Sequence, residues 1–201
     1  SITAHLVSKL YYYRLYYSKI YFSIDYPFFF LYYTITGEAF CMELQTIDIK
    51  RYSTGRQTFT EDGFFVKKSL PVLSVVQAIE GSYQISLDGG PACSTGEMGA
   101  FIAPAETLQS ITHHVNPQTG QMRAHWVFLD VLINGAYPLD SLYSFPVLLP
   151  PKDQQTLYNL IRRLLSGRAL CDDLSDLYQL IKILLNCGTQ RPKADPMMNE
   201  I

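Results

Sequence analysis

The sequence predicts a mainly β domain that gives way to an α-helical hairpin near its carboxyl end. Three observations carry this. Apolar residues make up 48% of the 201 and charged residues 17%, which supports a packed core and excludes disorder and fibrous repeats. From Glu43 to about Pro150, short apolar runs alternate with turn residues at the spacing of sandwiches and barrels. After Pro150-Pro151 the apolar period lengthens from about 2 to about 3.6 residues.

Residues 1–41 differ from the rest. Residues 1–33 hold nine of the fifteen tyrosines and four of the eleven phenylalanines. Lys9, Arg14, Lys19, Asp25 and Pro27 interrupt every window of about 20 residues that a membrane helix would need. The segment also lacks the compact apolar stretch of a secretory signal. Phe22, Ile24 and Tyr26 alternate with Tyr21, Ser23 and Asp25, the pattern of a strand or edge hairpin. The other reading is that 1–41 is a non-native upstream extension, because ordinary composition begins at Met42.

Within 42–150 the strands follow in order. Val72–Ile79 is rich in β-branched residues, and Gly81 breaks it. Ser82–Leu87 resumes with Tyr83, Ile85 and Leu87 on one face. Asp88-Gly89-Gly90-Pro91 is a turn, since Gly tolerates positive φ and Pro fixes its own. Gly96 and Gly99 flank another turn, and Phe101-Ile102-Ala103 leads into Pro104. His125–Ile133 is a long apolar strand that ends at Asn134-Gly135.

In 151–190, Leu157, Leu160, Ile161, Leu164 and Leu165 form one apolar stripe of a helix, with Gly167 as its stop. Leu174, Leu177, Tyr178, Ile181, Leu184 and Leu185 mark a second helix, with Asp172 or Asp173 as its cap and Gly188 as its end. Part of the combined face packs on the β domain, and the surplus can pair with a second copy. Residues 191–201 read as a proline-containing linker, after which Met197, Met198 and Ile201 restart a helical pattern. The chain is therefore expected to continue past 201.

Several function classes lose ground on residue content. Sixteen basic and eighteen acidic side chains give a formal charge of -2, unlike the basic excess of a free-standing nucleic-acid binder. Cys41, Cys93, Cys171 and Cys187 contain no C-x-x-C pair, which fits a reducing compartment better than a disulfide scaffold. The sequence has no G-x-S-x-G elbow, no G-x-G-x-x-G and no P-loop. Adjacent strand residues face opposite ways, so His113 and His114 cannot both enter one interior, and loop or surface positions are expected for them. No metal and no cofactor are expected, and no catalytic set is visible. Trp126, the single tryptophan, offers a flat apolar face and one N–H donor, suited to core filling or ligand stacking.

The order of five segments resembles the amino-terminal ligand-sensing domain of AraC-type transcription regulators, a cupin-like (double-stranded β-helix) barrel followed by an αα-hairpin. The segments are Val75–Ile85 with the Gly89-Gly90 turn, Gly96–Pro104, Arg123–Phe128, the helical hairpin, and Pro196–Ile201. The likeness covers about Met42 to Ile201. This sequence departs from metal-binding cupins at both of their ligand segments. Lys67–Ser74 carries no ligand before Gly81, and Glu106 and Gln109 stand where a glycine and a histidine are expected.

The resemblance implies the effector-sensing and dimerisation part of a bacterial, cytoplasmic regulator. On that reading 42–150 binds an unknown small-molecule effector, and 151–190 makes a homodimer. DNA is reached only through a missing carboxyl-terminal domain, and the chain is not an enzyme. Strand position and the resemblance name Trp126, Tyr83, His125 and Phe101 as ligand-binding residues. Leu157, Leu160, Ile161, Leu164 and Leu165 are the expected dimerisation residues. The alternatives are a stand-alone cupin enzyme or a sugar-binding protein.

Overall fold

The structure is a computed structural model and describes residues 46–191, together with the backbone of 20–23, 29–33 and 39–43. The chain divides into two compact units, Ser1–Thr46 and Ile47–Ile201. In the first unit, strands β1 (Ile20–Ser23), β2 (Phe29–Tyr33) and β3 (Ala39–Glu43) form an antiparallel meander. Phe22 lies in β1, whereas Ile24, Tyr26 and the helical restart at Met197, Met198 and Ile201 lie outside the described residues.

The second unit holds strands β4 (Ile47–Phe59), β5 (Phe64–Lys68), β6 (Leu73–Glu80), β7 (Ser82–Leu87), β8 (Cys93–Ser94), β9 (Ala100–Ala103), β10 (Gln109–His114) and β11 (Met122–Ile133). Two antiparallel sheets result. One runs β4-β11-β6-β9 and the other β5-β10-β7-β8. The chain passes back and forth between them, which gives the Greek-key strand order of an eight-stranded jelly roll, the architecture of cupins. A short strand, β12 (Tyr137–Pro138), returns along the end of β11.

Alternation along the strands builds two cores from one sheet. On β11, Met122, Ala124, Trp126 and Phe128 face the interior between the sheets, while Val127, Leu129, Val131 and Ile133 face the opposite side. Strand β4 stays in step through a register shift opposite Asp130 and Val131. The extra residue lets Ile47, Ile49 and Tyr52 all join the second side. Between β6 and β7, Gly81 turns the chain with φ +73, and a Cβ there would collide with the His114 carbonyl oxygen.

The second core is completed by helices α1 (Leu139–Leu142), α2 (Pro151–Leu164) and α3 (Leu170–Cys187). Pro151 starts α2 at a position where its missing N–H costs nothing. Leu157, Leu160, Ile161 and Leu164 are buried against α3 and the outer face of the sheet, and Leu165 is half-buried there. This corrects their assignment to a dimer contact. The stripe is already used inside one chain, because the outer face of β6, β9 and β11 is aliphatic and needs a cover. Asp172 and Asp173 do not cap α3. Its N-cap is Ala169, without a side-chain bond, and the two aspartates lie in the first turn.

Asp173 instead accepts a hydrogen bond from Tyr52 Oη at 2.8 Å, which ties α3 to β4. Asp176 accepts from Arg163 Nη2 at 2.7 Å and also pairs with Arg168. The Arg163 guanidinium holds the Asp176 carboxyl below the usual carboxylate range. Beyond α3, strand β14 (Thr189–Gln190) pairs with β13 (Tyr143–Ser144), which follows α1.

Candidate functional site

The interior core is not full. A cavity of about 310 Å³ lies between the two sheets, at the small end of the ~300–1,000 Å³ range of ligand pockets. Its wall is aromatic, formed by Phe59, Phe64, Tyr83, Phe101, Trp126 and Phe128. Val66, Val76 and Ile111 fill the spaces between the rings, and Gln57, Lys68 and His113 are its polar members. Strand register explains the gathering. Tyr83 and Phe64 both pair with His113, and Val76 pairs with both Trp126 and Phe101. Paired residues share a face, so these side chains point the same way.

Trp126 lies against the backbone of Gly55, its partner on β4, and a Cβ at that glycine would fall within the indole. Glycine here makes room for a flat ring against the sheet. The indole also stacks with Phe128 at 6.1 Å and 25°. Tyr83 meets Phe101 edge to face, with centroids 5.4 Å apart. Burial pushes the Tyr83 phenol well above its ordinary pKa, so it stays protonated as a potential donor.

His113 sits among Phe59, Phe64 and Tyr83, with ring centroids 4.2, 5.3 and 5.0 Å away. Its Nδ1 is 2.9 Å from the Phe64 carbonyl oxygen. A carbonyl only accepts, so Nδ1 carries the proton. Burial, helped by the Lys68 and His114 charges, pushes the ring below its ordinary pKa despite that bond. The neutral ring therefore keeps an Nε2 lone pair. His114 points outward, 3.6 Å from Asp62. The loop-or-surface expectation thus fails for His113, which is buried on a strand.

At the other end of the same strand pair, Lys68 is the register partner of Gln109. Burial lowers the Lys68 pKa. Among the described residues no carboxylate lies within ion-pair distance of it. Gln109 is fully buried, and neither of its amide atoms has a partner. An unsatisfied buried polar group costs about 1–3 kcal/mol, and Gln109 lies behind the cavity wall rather than on it.

Of the four residues expected to bind ligand, Tyr83, Phe101 and Trp126 lie on the cavity wall and His125 does not. His125 occupies the odd-numbered face of β11, stacked at 6.2 Å and 6° on Tyr158 of α2. Alternation from Trp126 was enough to place it there. Sequence reasoning missed Lys68, His113 and Gly55. The signal for the first two was the parity of β5 and β10 once paired. Gly55 carried none, because its reason lies on another strand. Among the described residues, no group of three or more His, Cys, Asp or Glu is placed to hold a metal ion. No helix among them is long and apolar enough to cross a membrane.

No family model and no curated protein matches the sequence. Among solved structures, the chain is similar to the EutQ protein of Clostridium difficile, at 14% identity over 60% of this chain and 77% of that one, with a TM-score of 0.33. It is also similar to an ethanolamine utilization protein Q from Salmonella typhimurium, at 10% identity over 53% of this chain and 98% of that one, with a TM-score of 0.33. The cupin-like assignment rests on the chain's own strand order.

Proposed function

We propose that the chain is the effector-binding and dimerisation part of a cytoplasmic AraC-type transcription regulator. It would bind a small molecule in the barrel, without catalysing a reaction. The observation that carries this is the aromatic cavity inside a jelly roll whose outer face is covered by a helical hairpin. The wall presents no carboxylate, thiol or aliphatic hydroxyl, so no Ser–His or Cys–His nucleophile pair is formed there.

A route from cavity to helices supports a sensing role. Phe101 is on the cavity wall, and residues 147–149 run beside its strand. Ile102 N donates to the Val147 carbonyl, and Leu149 N donates to the Ala100 carbonyl, both at 2.9 Å. Pro150 and α2 follow at once. A ligand that moves Phe101 would bias the seat of α2 and, through it, an attached DNA-binding domain, as a coupling free energy between two sites. The homodimer is part of the proposal, with its contact outside the buried α2 stripe.

The test is to sequence the source gene past codon 201 and assay the full polypeptide for promoter binding. Two helix-turn-helix units in frame and sequence-specific DNA retention are expected. A frame that closes without them overturns the regulator reading and leaves a binding protein.

A further inference from the structure

We propose that the barrel cavity takes a small aromatic monocarboxylate with a hydroxyl at its far end. Its carboxylate would meet Lys68, its ring would lie among Trp126, Phe101 and Phe128, and its hydroxyl would reach His113. The inference rests on reading the cavity as a ligand site and adds the ligand's chemistry.

The two ends of the β5–β10 pair carry opposite requirements. At Lys68 the cavity wall holds a half-buried ammonium with no carboxylate within ion-pair distance among the described residues. A cation in a desolvated place attracts an anion. At His113, Nδ1–H is committed to the Phe64 carbonyl. The imidazole then offers its Nε2 lone pair, which takes a hydrogen bond from an O–H and repels a second carboxylate. Tyr83, beside it, supplies a further hydroxyl on the same wall.

The dimensions agree. Lys68 and His113 are set apart by four residues of strand, about 13 Å at ~3.3 Å per residue, and the lysine stem shortens that span from one end. Between them on β5 and β10 lie Val66 and Ile111, and the other sheet contributes the rings of Trp126, Phe101 and Phe128. A cavity of about 310 Å³ suits one ring with short substituents better than a long acyl chain. A sugar would leave most of its hydroxyls facing phenyl rings.

The probes are 4-hydroxyphenylacetate, its neutral amide 4-hydroxyphenylacetamide, phenylacetate, decanoate and arabinose. Binding is measured by isothermal titration calorimetry on the full chain without DNA. The acid should bind about 10–100-fold more tightly than its amide, the factor for losing a hydrogen bond to a charged group. Lys68→Met should remove that preference, weakening the acid about 10–100-fold more than the amide. His113→Phe should erase the advantage of 4-hydroxyphenylacetate over phenylacetate. Equal binding of acid and amide, tighter binding of decanoate or arabinose, or no heat from 4-hydroxyphenylacetate at millimolar concentration would each overturn the proposal. The probe comparison on the unaltered protein holds even where a variant misfolds. A gene without helix-turn-helix units refutes the regulator but not this ligand class, and a failed titration does the reverse.

Discussion

The β4-β11-β6-β9 sheet has two buried faces, and they are built from different residues. Under the helices the buried apolar side chains are Leu, Ile, Val and Ala, and the pocket beside Leu73, Leu129, Val131 and Leu139 is only about 100 Å³. On the barrel side of the same strands lie Trp126, Phe101, Phe128, Met122 and Ala124, around a void that reaches Lys68 and His113. Adjacent residues on one strand thus serve opposite purposes. Branched aliphatic side chains interdigitate and fix one arrangement. Rings separated by a gap hold a shape that something else can complete. Both amide atoms of Gln109 on β10 lack a partner, whereas Gln77, facing α2, leaves its Oε1 without one but donates through Nε2 to the Met98 and Gln154 carbonyls.

The largest effect should come from breaking the filled face. Leu160→Ala removes a fully buried side chain between α2, α3 and the sheet, and should cost about 2–5 kcal/mol in urea unfolding. Enlarging neighbours on β6 separates the two faces directly. Val75→Phe enters the aliphatic core and should cost about 1–3 kcal/mol or more. Val76→Phe enters the cavity and should cost less than about 1.5 kcal/mol. Equal costs would show that the void closes in solution.

Gly55→Ala pushes the Trp126 ring off the sheet. It should lower stability by about 1–3 kcal/mol and shrink the space for ligand, seen as weaker binding in the titration above. The smallest effect is that of pH. His113 has a folded-state pKa below its unfolded value of about 6.5, because burial disfavours the cation. Between the two values the unfolded chain binds more protons, so stability rises with pH across that window. It should be lost as pH falls from about 6.5 toward the folded pKa, and level off below. His125 shifts in the same direction, from burial and the Arg56 and Arg123 charges. Tm against pH should therefore flatten partly in His113→Phe and further when His125→Phe is added.

Much of the fold was legible in the sequence. The turn at Asp88-Gly89, where both residues have positive φ, and the break at Gly81 followed from residue chemistry. Periodicity placed both long helices. It also marked the α2 stripe as buried, without saying against what. An apolar stripe looks the same whether it meets its own sheet or a second copy, and only the aliphatic outer face of β9 and β11 decided the matter. Tyr83, Phe101 and Trp126 were found because aromatic residues on strands stand out. Lys68 was not, because a lysine beside a second lysine reads as a solvated edge until β5 is paired with β10. Long-range pairing, which turns parity into an interior, was the missing information.

Trp126 is the only tryptophan in 201 residues and forms part of the cavity wall. The protein therefore carries its own optical gauge. The emission maximum and the quenching of one indole report how wet the barrel interior is and when a ring settles beside it. Excitation at the red edge of the absorption band separates that signal from the fifteen tyrosines. Occupancy of the barrel can then be followed in dilute solution without a label.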